Sequence, residues 1–306
     1  MIPMLGRRHF MSGALAAGAL VGARAGASSP LSRQWGLHLG RDIERQYGGR
    51  LGFAVAFSSG GIVNWRGHER FAFCSSFKLS LAALVLTGAE KGEWRLDEKL
   101  PFGKGEVLFN SPALQARLGL GSISMAEAAE AVQKQSDNGA ANLLMRRMGG
   151  FDRVNRFWRG LGDMVSRLDD YETALNRVPP GSLRNTTTPE AMADNLFRMF
   201  RQGALSPAVV TRLKDWMHDT TTGAKRLRAG LPGNWWAGDK TGTGLPADIP
   251  GTYVDLAWVE PPDLAPFAIA AFYQPPKPTP DGDSNAETVL AQVGQNIAQT
   301  IVLQGK

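Results

Sequence analysis

Strand-type and helix-type sequence are segregated along this chain, and the segregation restricts its topology. Residues 51–57 and 62–66 carry strand patterns around Ser58-Ser59-Gly60-Gly61, which predicts a β-hairpin; comparable patterns return only at 236–243, 252–259 and 266–273. From 75 to about 219 the pattern is mostly helical, over 75–86, 125–135 and 138–148, and in two segments that open with Thr188-Pro189-Glu190 and Ser206-Pro207. Each of those two openings is an N-cap followed by proline at the first helical position. Residues 31–47 and 286–303 read as terminal helices. The expectation is an α+β fold: an antiparallel sheet built from both ends of the chain and flanked by the terminal helices, with an all-helical lobe inserted. The α/β lobe takes about 28–70 and 216–306, and the helical lobe about 71–215.

The start of the chain reads as an address. Arg7-Arg8-His9-Phe10-Met11 precedes an apolar run from Ala14 to Val21, and small residues follow at Ala23-Arg24-Ala25-Gly26-Ala27. A basic n-region, an apolar h-region and an A-x-A-like cleavage region make residues 1–27 an export signal. The run is too short for a permanent membrane anchor, and the arginine pair favours a twin-arginine route over general secretion. Loss of Arg7, Arg8 and Arg24 lowers the formal net charge from +6 to +3. With no Lys/Arg run left, a nucleic-acid partner is not indicated. The single cysteine, Cys74, excludes an internal disulfide. His9, His38, His68 and His218 are widely spaced and form no ligand pattern, so neither a metal nor another cofactor is expected.

Three short motifs carry the chemistry. In Ser75-Ser76-Phe77-Lys78 the amine lies one helical turn beyond a hydroxyl, on the same face, where it can activate that oxygen as a nucleophile. A helix starting near Ser75 also surrounds the hydroxyl with unpaired N–H groups, the backbone N–H of Ser75 among them, which suits an oxyanion hole. Ser136-Asp137-Asn138 sits where one helix ends and another begins. Lys240-Thr241-Gly242 tempts a phosphate-loop assignment, but Trp235-Trp236 precede it and a strand pattern continues, so it belongs on an edge strand whose glycine lets a ligand approach. Between the second and third motifs, the long segment 167–187 carries Asp170-Tyr171-Glu172-Thr173-Ala174-Leu175-Asn176.

Together these motifs give the chain, from about residue 31 to its C-terminus, a resemblance to the class A serine β-lactamases. The resemblance implies a metal-independent, monomeric, periplasmic or secreted enzyme that opens a small-molecule β-lactam through a serine acyl-enzyme, a β-lactam catabolic activity that confers antibiotic resistance. It implies catalytic roles for Ser75, Lys78, Ser136, Glu172 and Asn176, with Glu172 and Asn176 activating and positioning the deacylating water. The acylation base stays open between Lys78 and Glu172. Backbone N–H groups of Ser75 and Thr243 are the implied oxyanion hole. Asn138 would hold the substrate's side-chain carbonyl, and Lys240, Thr241, Thr243 and Arg226 its carboxylate, since Tyr253 stands where other members place an arginine. Asp137 is expected to be structural.

The departures from the family pattern raise expectations of their own. Asp170 and Asn185 replace an arginine–aspartate pair that usually closes the loop before the glutamate, so only a hydrogen bond can replace the ion pair, and greater mobility over 167–187 is expected. Asn110 takes the place of an aromatic wall residue, with Phe109 one position earlier. Gly244 stands where some carbapenem-hydrolysing members pair a second cysteine with the one at Cys74, so that specialisation is not supported. Two other readings are a D-alanyl-D-alanine carboxypeptidase or penicillin-binding protein, which Glu172 argues against, and a catalytically silent cell-wall-sensing protein, which predicts loss of Ser75, Lys78 or Glu172.

Overall fold

The structure, a computed structural model, describes residues 31–304; the expected export segment lies outside them. In chain order the elements are α1 (Arg33–Tyr47), β1 (Arg50–Phe57), β2 (Ile62–Trp65), β3 (Phe71–Ala72), α2 (Lys78–Glu90), β4 (Lys99–Pro101), α3 (Pro112–Ala116), β5 (Ser122–Ser124), α4 (Met125–Lys134), α5 (Asn138–Arg147) and α6 (Asp152–Gly160). They continue with β6 (Thr186–Thr187), α7 (Pro189–Arg201), α8 (Pro207–His218), β7 (Trp236–Gly244), β8 (Thr252–Glu260), β9 (Phe267–Gln274) and α9 (Ala286–Gln304). Five strands form one antiparallel sheet in the order β2-β1-β9-β8-β7, so the N-terminal hairpin is completed by strands from the far end of the chain.

Strand alternation assigns the two faces. Phe53, Val55 and Phe57 of β1 join Phe267, Ile269, Ala271 and Tyr273 of β9 in a core with Ile43 of α1 and Val289, Leu290 and Val293 of α9. The intervening residues Ala54, Ala56, Ala268, Ala270 and Phe272 belong to a second core, which continues into α2, α4, α5 and α7. Small alanines on that face let α7 lie on β1 and β9, while α8 packs on β7. Both helix openings act as read: Thr188 Oγ1 accepts from the Ala191 N–H and Ser206 Oγ from the Val209 N–H, each at 3.2 Å.

Two differences bear on the site. The helix expected from Ser75 begins only at Lys78; Cys74–Phe77 form a 3₁₀ turn, entered through a left-handed Cys74 (φ 48°). The ladders β3/β6 and β4/β5, of two and three residue pairs, carry no period long enough to read from sequence. The first of them ties the segment before the 3₁₀ turn to the end of the 167–187 loop.

Candidate active site

Ser75, Lys78 and Glu172 meet in a triangle. Lys78 Nζ donates to Ser75 Oγ at 2.9 Å and lies 2.8 Å from Glu172 Oε1, and Ser75 Oγ donates to that same carboxylate oxygen at 3.1 Å. The 3₁₀ turn presents Ser75 and starts α2 at Lys78, so the two side chains still share a face despite the later helix start. Lys78 also donates to the Ser136 carbonyl at 2.9 Å and to Asn138 Oδ1 at 2.5 Å. Burial disfavours the ammonium and lowers its pKa, while the Glu172 carboxylate opposes that shift.

Glu172 is held from both ends. Asn142 Nδ2 donates to its carbonyl at 2.8 Å, Asn142 Oδ1 accepts from its N–H at 2.9 Å, and Asn176 Nδ2 donates to Oε2 at 2.7 Å. Asn142 has no role in the motif reading, although a signal existed: it lies four residues after Asn138 on the same helical face. Asn138 Nδ2 donates to the Phe109 carbonyl at 2.7 Å, which leaves the second hydrogen of that amide for a ligand. Asn110, left-handed at φ 53°, donates from Nδ2 to the Ser136 carbonyl at 3.0 Å, and Phe109 stands 88% exposed at the pocket. Asp137 caps α5 through Ala140 N–H at 2.8 Å and accepts from Ala113 N–H at 2.9 Å, joining two helix starts.

The opposite wall is β7, the edge strand. Lys240 Nζ donates to Ser136 Oγ at 3.1 Å and to the Thr241 carbonyl at 2.8 Å. Burial, then the charge on Lys78, pulls its pKa down to about 7. Thr241 Oγ1 shares a 2.5 Å hydrogen bond with Thr222 Oγ1, a partner no local pattern marks because it comes from the chain before β7. Arg226 is buried: Nη1 donates to the carbonyls of Gly242 at 3.0 Å and Val254 at 2.8 Å, and Nη2 to Thr243 Oγ1 at 2.6 Å. It lies over the ring of Tyr253, 5.7 Å from the centroid.

Gly242 lines the cavity and has a second reason to be glycine. A Cβ there would lie 3.0 Å from Ser75 N, 2.9 Å from Ser76 N and 2.7 Å from the Phe73 carbonyl, so the close neighbour is the nucleophile's own backbone. Gly244 in turn faces Cys74, where a Cβ would lie 3.0 Å from Sγ. Burial pushes the Cys74 thiol well up and keeps it protonated.

Two side chains reach Asp170 in the loop that carries Glu172. Asn185 Nδ2 donates to Asp170 Oδ2 at 2.7 Å, and Arg184 Nη2 pairs with Asp170 Oδ1 at 2.7 Å. The hydrogen bond expected between Asp170 and Asn185 is present, and Arg184 adds an ion pair to the same carboxylate, where the sequence leads one to expect a hydrogen bond alone.

These groups line one cavity of about 700 Å³, among them Ser75, Ser136, Asn138, Asn176, Thr222, Arg226, Thr241 and Thr243. The arrangement offers a buried nucleophile, two candidate proton acceptors and a cationic, hydroxyl-lined end for an anion. Among the described residues no cluster of three His, Cys, Asp or Glu side chains is placed to hold a metal, and no helix is long and apolar enough to cross a membrane.

The family model of the Beta-lactamase enzyme family matches residues 40–301. The carbapenem-hydrolyzing beta-lactamase KPC of Klebsiella oxytoca is 35% identical over 265 residues, covering 86% of this chain and 88% of that protein. The solved structure of the last common ancestor of Gram-negative bacteria class A beta-lactamase has a TM-score of 0.79 at 41% identity, covering 86% of this chain and 97% of the other. A beta lactamase from Xanthomonas campestris has a TM-score of 0.81 at 38% identity, covering 88% and 99%. Sequence, fold and the groups assembled around Ser75 agree, and the chain belongs to the class A serine β-lactamases.

Proposed function

We propose that the protein opens the β-lactam amide through an acyl-ester on Ser75 and hydrolyses that ester with Glu172, conferring resistance to β-lactam antibiotics. The observation that carries this reading is the Ser75 hydroxyl lying within 3.1 Å of both Lys78 Nζ and Glu172 Oε1. A serine oxygen must lose its proton as it attacks, and both groups are in reach: Glu172 accepts directly, while Lys78 accepts only in the neutral form that burial favours.

Attack forms the Ser75 Oγ–carbon bond and moves an electron pair onto the lactam oxygen, to which the N–H groups of Ser75 and Thr243 are assigned as donors. As the carbon–nitrogen bond breaks, Ser136 passes its proton to the nitrogen and regains one from the base that deprotonated Ser75, so that Glu172 is a free carboxylate again before deacylation; Lys240, bonded to Ser136 Oγ, favours that transfer. Asn138 uses its free N–H for the side-chain carbonyl, and Lys240, Thr241, Thr243 and Arg226 set the carboxylate end. For deacylation, Glu172 takes a proton from a water oriented by Asn176. The hydroxide attacks the ester carbon, and Ser75 leaves with a proton returned to its oxygen. The carboxypeptidase reading lacks a reason for a glutamate anchored this closely, and a silent sensor lacks one for the intact triangle.

The lobes are assigned to about 28–70 with 216–306 and to about 71–215, and residues 1–27 to an export signal whose removal leaves a monomer outside the cytoplasm without a membrane anchor. The test is steady-state hydrolysis of benzylpenicillin by residues 28–306, with Ser75→Ala as the control. Turnover with a transient adduct on Ser75 supports the mechanism; an adduct in Ser75→Ala would place the nucleophile elsewhere.

A further inference from the structure

One side of the pocket mouth is closed by an ion pair that this chemistry does not use. Arg177 directly follows Asn176, and its guanidinium meets Asp248 on the loop between β7 and β8, Nε donating to Oδ1 at 3.2 Å and Nη2 to Oδ2. Both residues line the catalytic cavity, beside Thr173 and Leu245. The chain continuing from each, 178–183 and 249–250, lines a separate cavity of about 530 Å³. The wall joined by the pair therefore has empty space on both sides.

The position of this wall follows from substrate chemistry and rests on the proposed function. In penicillins and cephalosporins the carboxylate is carried next to the lactam nitrogen, and the acylamino group next to the lactam carbonyl. With the carbonyl at Ser75 and the carboxylate at Thr241 and Arg226, the acylamino group is directed past Asn138 and Asn176 to Arg177 and Asp248.

We infer that Arg177 and Asp248 determine specificity for that side chain, their ion pair serving as a strap that an anionic substituent opens by taking the place of Asp248 on Arg177. The two side chains are 54% and 55% exposed, so the pair is weak and screened by salt. A carboxylate on the substrate finds the same guanidinium fork that Asp248 occupies, and the exchange replaces one pair by another. A bulky neutral side chain has to open the strap without replacement, and a small one leaves it closed.

The test compares kcat/KM for a cephalosporin whose oxyimino group ends in a carboxylate with one whose oxyimino group ends in a methyl, alongside benzylpenicillin. In Asp248→Asn the ratio of the anionic to the neutral cephalosporin rises about two- to fivefold, because Arg177 is released to the substrate. In Arg177→Gln that ratio falls by a similar factor, and in the unaltered protein it falls as sodium chloride is raised. Ratios that stay constant, or that move the same way in both variants while circular dichroism shows each folded, overturn the inference. Absence of hydrolysis of all three substrates by the unaltered protein overturns the proposed function instead.

Discussion

Asn185 holds Asp170 with a 2.7 Å hydrogen bond from Nδ2, while its Oδ1 accepts from the backbone N–H groups of Asp169 at 2.9 Å and Asp170 at 3.1 Å. One buried side chain thus replaces the bond-making part of an ion pair and satisfies two backbone donors in the loop that carries Glu172. Asn185 itself is left-handed at φ 55°, a conformation asparagine tolerates better than most residues.

Asn185→Asp keeps the backbone preference but turns the donor into an acceptor and sets two carboxylates together. The expected outcome is a loss of about 1–3 kcal/mol and faster hydrogen exchange over 167–187 than in the parent. Equal exchange in the two proteins would show that the tie does not hold the loop.

Glu172→Gln retains size and the contact with Asn176 but removes the base. Acylation at Ser75 should slow and deacylation should slow more, with turnover down about 10²–10⁴-fold. Mass spectrometry should then find a long-lived penicilloyl adduct on Ser75; turnover like the parent's would exclude Glu172 as the base.

Arg226 is a buried strut as well as a positive charge. Arg226→Ala should lower kcat/KM about 10–200-fold through the carboxylate end of the pocket. It should also lower the melting temperature, because the Gly242 and Val254 carbonyls lose their donor. A change in kcat/KM without a change in stability would contradict the buried geometry.

Lys240 provides a pH test. Its pKa in the folded protein is lowered to about 7, so the cation that attracts a substrate carboxylate is present below that pH and lost above it. For the free enzyme, kcat/KM should decline as pH rises through about 7, and Lys240→Arg should abolish that limb. The stability sign is opposite: between about 7 and the ordinary lysine value of 10.5 the unfolded chain binds the extra proton, so stability from this group rises with pH across that window. A flat kcat/KM profile that remains unchanged in Lys240→Arg would remove Lys240 from carboxylate recognition.

Local chemistry in the sequence already specified the strand and helix blocks, the caps at Thr188 and Ser206, the serine-lysine pair and the role of Asp137, because each depends on neighbours within a turn or on a short period. The motifs also named the groups that meet, since Ser75, Lys78, Ser136, Glu172 and Lys240 do lie around one cavity or its wall. Tertiary structure alone decided what those groups touch. The backbone of the 3₁₀ turn at Ser75 packs against Gly242 across the sheet edge, a contact between residues far apart in the chain. Likewise, the partnership of Arg184 with Asp170, of Asn142 with the Glu172 backbone and of Arg177 with Asp248 arises where separate segments are brought together. A sequence period records the face a residue shows; only the packed fold records which remote group meets it there.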